Sequence, residues 1–199
     1  PLLDKKIYSH IYNIKKFLPK ARVEVVTNGD PLNLERLKKL FNSGLDKLLI
    51  SAYDGKEDVV KFQKMVDECN LNKDQYIIRD RSLPEEENFG ITLSNRSGMM
   101  ENAEYKIPSL KSPMNNPCYI PSYTLFFDYL GDVLMCPHDW GKKIVLGNLK
   151  NDNLLDIWFS EKSMKIRKNL VNNNRRFQPC NVCDVNGTLM GKVNSQYFK

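Results

Sequence analysis

Histidine is nearly missing from this sequence: only His10 and His138 occur in 199 residues. No Ser/His/Asp or Cys/His nucleophile arrangement can be drawn from them, and no glycine-rich loop of the phosphate-cradling kind is present. No apolar run approaches the ~18 residues that a membrane span needs. The opening residues, Pro1-Leu2-Leu3-Asp4-Lys5-Lys6, lack a basic stretch followed by an apolar one, so no signal peptide is expected. They also lack an initiator methionine, and the chain reads as part of a longer protein. The cysteine count is five, an odd number for a chain without an export signal. That points to a reducing, cytoplasmic compartment, where a C-x-x-C pair means metal or redox chemistry rather than structural disulfides. The formal net charge of +6 does not by itself call for nucleic acid, because Lys and Arg are spread along solvated helix faces.

What is present begins with alternation. Ile7, Ile11, Ile14 and Leu18 recur at helical spacing up to Pro19. Val23-Glu24-Val25-Val26-Thr27 is a short β-branched strand that stops at the turn signal Asn28-Gly29. Leu34, Leu37, Leu40 and Phe41 mark a second helix ending near Gly44. Leu48 to Tyr53 is a second strand, stopping at Asp54-Gly55. Val59, Phe62, Val66 and Cys69 line a third helix, and Tyr76-Ile77-Ile78 forms a third strand. Near-continuous apolar strands alternating with helices predict an α/β fold with a parallel sheet. Ligands of such folds sit at the carboxyl ends of the strands. The polar residues at those ends are Thr27, Asn28, Ser51, Asp54, Arg79 and Arg81. Cys69 shares its helical stripe with apolar residues and reads as core.

Residues 82–117 change character. Glu85-Glu86-Glu87 and many Ser, Asn and Pro residues predict loops, with one strand candidate over 90–96. Pro, Ser and Asn rise again from Pro108 to Pro117, which places a domain boundary there, dividing the chain into 1–112 and 113–199. Beyond it, Thr124–Asp128 and Val133–Cys136 flank a turn at Gly131, a β-hairpin pattern. Leu146-Gly147-Asn148 ends a short extended segment. Asn153 is placed to cap one helix, and Ser160 or Ser163 the next.

Four of the five cysteines lie in this last part. Cys118 and Cys136 bracket the hairpin, whose fold-back lets its ends approach, and Cys180-Asn181-Val182-Cys183 is a C-x-x-C pair. Four thiolates converging on one point suit a structural zinc or an iron–sulfur cluster, and spacing alone does not separate the two. His138, in Cys136-Pro137-His138-Asp139, reads as a residue supporting the site, since four cysteines already complete it. Under the zinc reading the unit would be a binding module, with Lys142, Lys143, Arg175 and Arg176 as the candidate contact to an anionic partner such as nucleic acid.

The tail resembles the SPASM or twitch extension of radical SAM enzymes, which carries auxiliary iron–sulfur clusters. Cys118, twelve residues, Gly131, four residues and Cys136 match the family spacing. Leu125-Phe126-Phe127-Asp128, Gly131-Asp132-Val133 and Cys136 resemble its hairpin run. Leu146-Gly147-Asn148 followed by Ile157-Trp158 resembles its Leu-Gly-Asn and Ile-Trp segments. Earlier in the chain, Pro1-Leu2-Leu3 looks like the end of the Gly-Gly-Glu-Pro-Leu-Leu motif of radical SAM barrels. Thr27-Asn28-Gly29 and Ile50-Ser51-Ala52-Tyr53 look like the ends of the following strands.

The resemblance implies a partial (β/α) barrel joined to a small cluster-binding domain with a hairpin and helices. It implies one auxiliary [4Fe–4S] cluster on Cys118, Cys136, Cys180 and Cys183, because Leu189 and Val193 stand where two-cluster members carry further cysteines. It implies S-adenosyl-L-methionine as cofactor, with Ser51, Asn28 and Gln63 as its contacts; Phe62-Gln63 stands where relatives have a Phe-Arg pair. The three-cysteine loop that holds the S-adenosylmethionine-cleaving cluster precedes the Gly-Gly-Glu motif in the family, so this second cluster is expected upstream of Pro1, and the chain alone is expected to be inactive. The implied chemistry is reductive cleavage of S-adenosylmethionine to a radical that abstracts hydrogen from a peptide or small-molecule substrate, with an electron donor as partner. A catalytically degenerate scaffold is the third reading.

Overall fold

Ile7, Ile11 and Ile14 set the first helical stripe, and the computed structural model, which describes residues 1–81, 94–100 and 110–198, places helix α1 at Ile7–Phe17. Contacts divide the chain into two units, residues 1–92 and 93–199. The sequence reading put the division at 112/113, on the Pro-rich stretch. Asn95 shows why the second unit begins earlier. Its side-chain amide donates to the Val182 carbonyl (2.6 Å), and its backbone N–H donates to the Asp184 carboxylate (2.8 Å).

In the first unit, strand β1 (Glu24–Thr27), helix α2 (Leu34–Asn42), strand β2 (Lys47–Ala52), helix α3 (Lys56–Glu68) and strand β3 (Tyr76–Asp80) alternate. The strands are parallel in the order β1-β2-β3, with Val26 opposite Leu49 and Leu49 opposite Ile77. Strand β3 runs two residues past the apolar Tyr76-Ile77-Ile78, because Arg79 and Asp80 pair with Ser51 and Ala52. Helix α2 starts where Asn33 accepts the N–H of Arg36 (2.9 Å), satisfying a donor that the first helical turn leaves free.

One face of this sheet packs on the helices. Leu37, Leu40, Leu48, Ile50, Phe62 and Val66 are at most 1% exposed. Each such side chain contributes about 1.5–3 kcal/mol on burial. Cys69 packs at the margin of this core, as its stripe predicts. The other face carries the Val26–Leu49–Ile77 row, in which Val26 is 55% and Ile77 37% exposed while Leu49 between them is buried at 7%. Parallel sheets are normally covered on both faces.

The second unit is built from shorter pieces. Helix α4 (Ile120–Tyr123) leads into strands β4 (Phe126–Phe127), β5 (Asp132–Leu134) and β6 (Val145–Asn148), which form an antiparallel sheet in that order. The extended segment ending at Asn148 is therefore a third strand of the hairpin sheet. Gly131 takes the left-handed conformation (φ 89°) that the tight turn requires. The Asp128 carboxylate accepts the N–H groups of Leu130 (2.9 Å) and Asp132 (3.1 Å). Helix α5 (Leu154–Phe159) is capped by Asn153, and helix α6 (Glu161–Val171) by Ser160 rather than Ser163. Helix α7 (Lys192–Ser195) and a 3-10 turn (Gln196–Phe198) end the described chain. Of the strand candidate at 90–96, residues 90–93 lie outside the described residues, and Arg96 sits in a turn with φ 49°.

Candidate metal centre

Each cysteine of the second unit is set by a different local device. Cys118 precedes α4, and its N–H donates to the Leu170 carbonyl at the end of α6 (3.0 Å). The next N–H, of Tyr119, donates to the Gly187 carbonyl (2.8 Å). Gly187 has no side chain for a physical reason: a Cβ there would stand 2.4 Å from the Cys118 Sγ. Cys136 follows β5 in a tight loop. Asp139, only 1% exposed, closes that loop by accepting the N–H groups of Lys143 (2.9 Å) and Ile144 (2.8 Å). Cys180 and Cys183 share one turn, in which the Cys183 N–H donates to the Cys180 carbonyl (3.4 Å) and Asn95 ties down Val182 and Asp184.

All four thiols are buried, at 8–9% exposure, and all are free of disulfides. Cys118, Cys136 and Cys180 belong to one core cluster with Ile120, Met135, Ile166 and Leu170. Burial pushes the Cys136 thiol up to about 12 and raises Cys118 and Cys180 as well. Neighbouring thiols add to the rise: Cys183, Cys118 and Cys136 all act on Cys180. An apolar pocket that disfavours thiolates needs a positive group to hold them ionised, which is what a bound metal does.

Among the described residues, no three His, Cys, Asp or Glu side chains gather as donors to a single ion. A tetrahedral zinc draws its sulfurs to about 2.3 Å from one point. An iron–sulfur cluster offers each thiolate a separate iron and spreads the four over a wider volume. Cys118, Cys136 and Cys180 share one core, and Cys183 lies on the same turn as Cys180, a donor set that suits either group.

His138 supports this arrangement through its backbone. Its N–H donates to the Cys136 Sγ (3.3 Å), while its ring Nδ1 meets the Ser94 hydroxyl (3.1 Å). His10 pairs instead with Asp4 in the first unit (3.2 Å). The four cations considered for an anionic partner do not form one surface. Lys142 is engaged by Asp128 and Asp132, and Arg175 is buried in a ring of carbonyls; Lys143 and Arg176 are exposed.

In the first unit, Thr27 stands opposite Ile50, so Asn28 and Ser51 reach the same carboxyl edge of the sheet. Ser51 is buried, and the exposed Asn28 donates to Asp30 (2.7 Å). Gly29 turns the chain there at φ 85°, against the ring of Phe62, which a Cβ would strike at 2.4 Å. Gln63 lies elsewhere. Its amide donates to Asp67 (2.8 Å) and to the Tyr76 hydroxyl (3.1 Å), at the start of β3 rather than its end. The sequence reading did not find Asn95, Asp139 or Gly187, whose roles come from partners distant in the chain or from space left empty.

A parallel α/β unit followed by a hairpin domain with four clustered buried thiols defines a class, and comparison with known proteins agrees. The family model of SPASM, an iron-sulfur cluster-binding domain, matches residues 118–184. The chain belongs to the radical SAM family with a SPASM domain. It is 31% identical over 176 residues to the S-adenosyl-L-methionine-dependent 2-deoxy-scyllo-inosamine dehydrogenase of Niallia circulans, a match covering 88% of this chain and 65% of that one. The chain thus spans just under two thirds of that relative's length. Among solved structures, BtrN in complex with AdoMet and 2-DOIA matches with a TM-score of 0.75 and 30% identity, over 93% of this chain and 69% of that one. Selenomethionine BtrN in an open conformation matches with a TM-score of 0.65 at 24% identity, over 93% of this chain and 67% of that one, and bears on the fold.

Proposed function

We propose that this protein acts as a radical SAM dehydrogenase of small hydroxylated metabolites, with one auxiliary [4Fe–4S] cluster held by Cys118, Cys136, Cys180 and Cys183. The observation that carries the reading is the set of four buried thiols within the segment that matches the SPASM model. The dehydrogenase activity named for the Niallia circulans relative supports the reaction class. When bound, S-adenosylmethionine would supply the radical that takes a hydrogen atom from the substrate carbon and the auxiliary cluster an acceptor for one electron, while the hydroxyl proton leaves to solvent or a neighbouring base as the carbonyl forms.

The chain's own residues supply position and environment. The hairpin and α6 hold Cys118 and Cys136 from one side, and the turn clamped by Asn95 presents Cys180 and Cys183. The apolar shell of Met135, Ile166 and Leu170 keeps water away, which tunes the potential of a bound cluster. Ser51 and Asn28, at the carboxyl edge of the parallel sheet, are the proposed contacts to S-adenosylmethionine. Gln63 is a weaker third contact, because its amide is turned toward Asp67 and Tyr76. A (β/α) barrel in the whole protein is supported by the exposed Val26 and Ile77 at the two sides of the Val26–Leu49–Ile77 row, which closure would cover. The proposed partners are the substrate and a low-potential electron donor. No helix among the described residues is long and apolar enough to cross a membrane.

The test is turnover. The full-length protein, loaded anaerobically with iron and sulfide and given a strong reductant, is expected to consume S-adenosylmethionine and to convert a small cyclic polyol or aminoalcohol to its ketone. No consumption with iron fully loaded would sink the enzyme reading.

A further inference from the structure

Arg175 is among the most deeply buried large side chains of the protein, at 2% exposure. A buried guanidinium normally sits against a carboxylate. Among the described residues none is paired with it. Its donors go instead to carbonyls: Nε to Asn116 (3.0 Å), Nη1 to Val185 (2.7 Å), Nη2 to Pro117 (2.9 Å) and to Asn186, with Nη1 also beside the Met114 sulfur (3.7 Å). These carbonyls belong to two strands of chain. Asn116 and Pro117 lead directly into Cys118, and Val185 and Asn186 lead directly out of the Cys180–Cys183 turn. The guanidinium therefore ties one cysteine arm to the other. It is also close to the Cys118 sulfur. A Cβ on Gly187 would stand 2.4 Å from the Cys118 Sγ and 3.3 Å from Arg175 Nη2, so both groups line the same small face.

We propose that Arg175 is a positioning residue and the built-in counter-charge of the auxiliary cluster. The inference rests on the cluster reading above. Four thiolates and their cluster carry net negative charge, and burial of that charge in an apolar core is costly without compensation. A guanidinium fixed beside Cys118 offsets it. Net charge and local hydrogen bonding are among the properties that set cluster potentials, so the cation favours the reduced, more negative state. The five-donor fork explains why arginine rather than lysine stands here. One ammonium cannot span four carbonyls of two chain segments.

The experiment compares wild type, Arg175→Met and Arg175→Lys after anaerobic loading with iron and sulfide. Cluster content, its loss to a chelator, and the midpoint potential by EPR-monitored titration are read on each. Arg175→Met is expected to lower the ratio of reduced to oxidised cluster about tenfold at a fixed poise, a shift of about 59 mV for one electron. It is also expected to lose its cluster to chelator faster. Arg175→Lys keeps the charge but not the fork, so it should hold the wild-type potential while releasing iron faster than wild type. A loaded Arg175→Met protein with wild-type potential overturns the proposal, because a residue that only fills space would leave that value alone. If Arg175→Met assembles no cluster, Arg175→Lys decides: a wild-type potential supports the proposal, and a lowered one rejects it. Wild type that takes up no iron and sulfide removes the cluster reading itself, and the counter-charge with it.

Discussion

The two units bury their interiors by different means. The first unit does it with periodic aliphatic residues: Leu37, Leu40, Leu48 and Ile50 meet Phe62 and Val66 between one sheet face and its helices. The second has elements as short as the two residues of β4, and its core includes three thiols. Its order comes from side chains that hold backbone. Arg175 and Asp139 do so around the cysteines. Arg167, at 3% exposure, donates to the Pro121 carbonyl (2.8 Å) and stacks on Trp158 (3.7 Å) and Phe198 (4.9 Å). Burial lowers the Arg167 pKa to about 10, so the cation is kept at a cost that the carbonyl and the two rings offset. The second unit thus combines an apolar core with polar staples and with what its thiols bind.

Removing the bound metal should separate the units most strongly. Chelation of iron from the loaded protein is expected to destabilise residues 93–199 by more than about 4 kcal/mol, leaving the first unit's hydrogen-exchange protection unchanged. Equal loss of protection in both units would erase the contrast. The reciprocal change is Leu48→Ala, at a position with no exposure in the middle of β2. It should cost about 3 kcal/mol in the first unit by leaving a cavity, with no change in iron content, as read by denaturant melts and iron assay. Asp139→Ala should cost about 2 kcal/mol in the second unit, because two backbone N–H groups beside Cys136 lose their acceptor. Iron release should accelerate in that variant, a property that Leu48→Ala leaves alone.

The smallest effect concerns pH in the first unit. Asp46 accepts the Val23 N–H (2.7 Å) and the Lys15 ammonium (2.9 Å), and these hold its carboxyl below the ordinary value. A lowered folded-state pKa gives stability that is present above the unfolded value of about 3.9 and is lost as pH falls through the folded one. The group is partly exposed, so the effect is modest. Asp46→Asn should therefore lower the melting temperature slightly near neutral pH, and the gap from wild type should close as the solution is acidified below the usual carboxylate range. A gap that widens in acid contradicts the assignment.

Legibility in the sequence followed the same division. The alternation of Val25, Leu37, Leu48 and Phe62 is local and periodic, so the strands and helices of the first unit could be read within a residue or two. Caps at Asn153 and Ser160 were readable because a cap is a local contact. The cysteine spacing around Gly131 was readable because the hairpin turn that brings Cys118 toward Cys136 needs a left-handed residue. In the sequence Arg175 stands as a candidate contact to an anionic partner beside Arg176, since nothing in the neighbouring residues announces carbonyl partners more than fifty positions away. Asn95 fell in a stretch read as loop and strand, yet its partners Val182 and Asp184 make it part of the site. Gln63 shows the opposite limit. A position matched to a family pattern does not fix where an amide points once Asp67 and Tyr76 compete for it.

The central claim is that Cys118, Cys136, Cys180 and Cys183 hold an iron–sulfur cluster rather than a lone ion. Iron, acid-labile sulfide and zinc are to be counted on the 199-residue chain after anaerobic reconstitution, beside a Cys180→Ala, Cys183→Ala double variant. The account predicts about four irons and four sulfides per chain in the wild type, with both lost in the variant. One zinc per chain with no sulfide, or iron and sulfide retained by the variant, would contradict it.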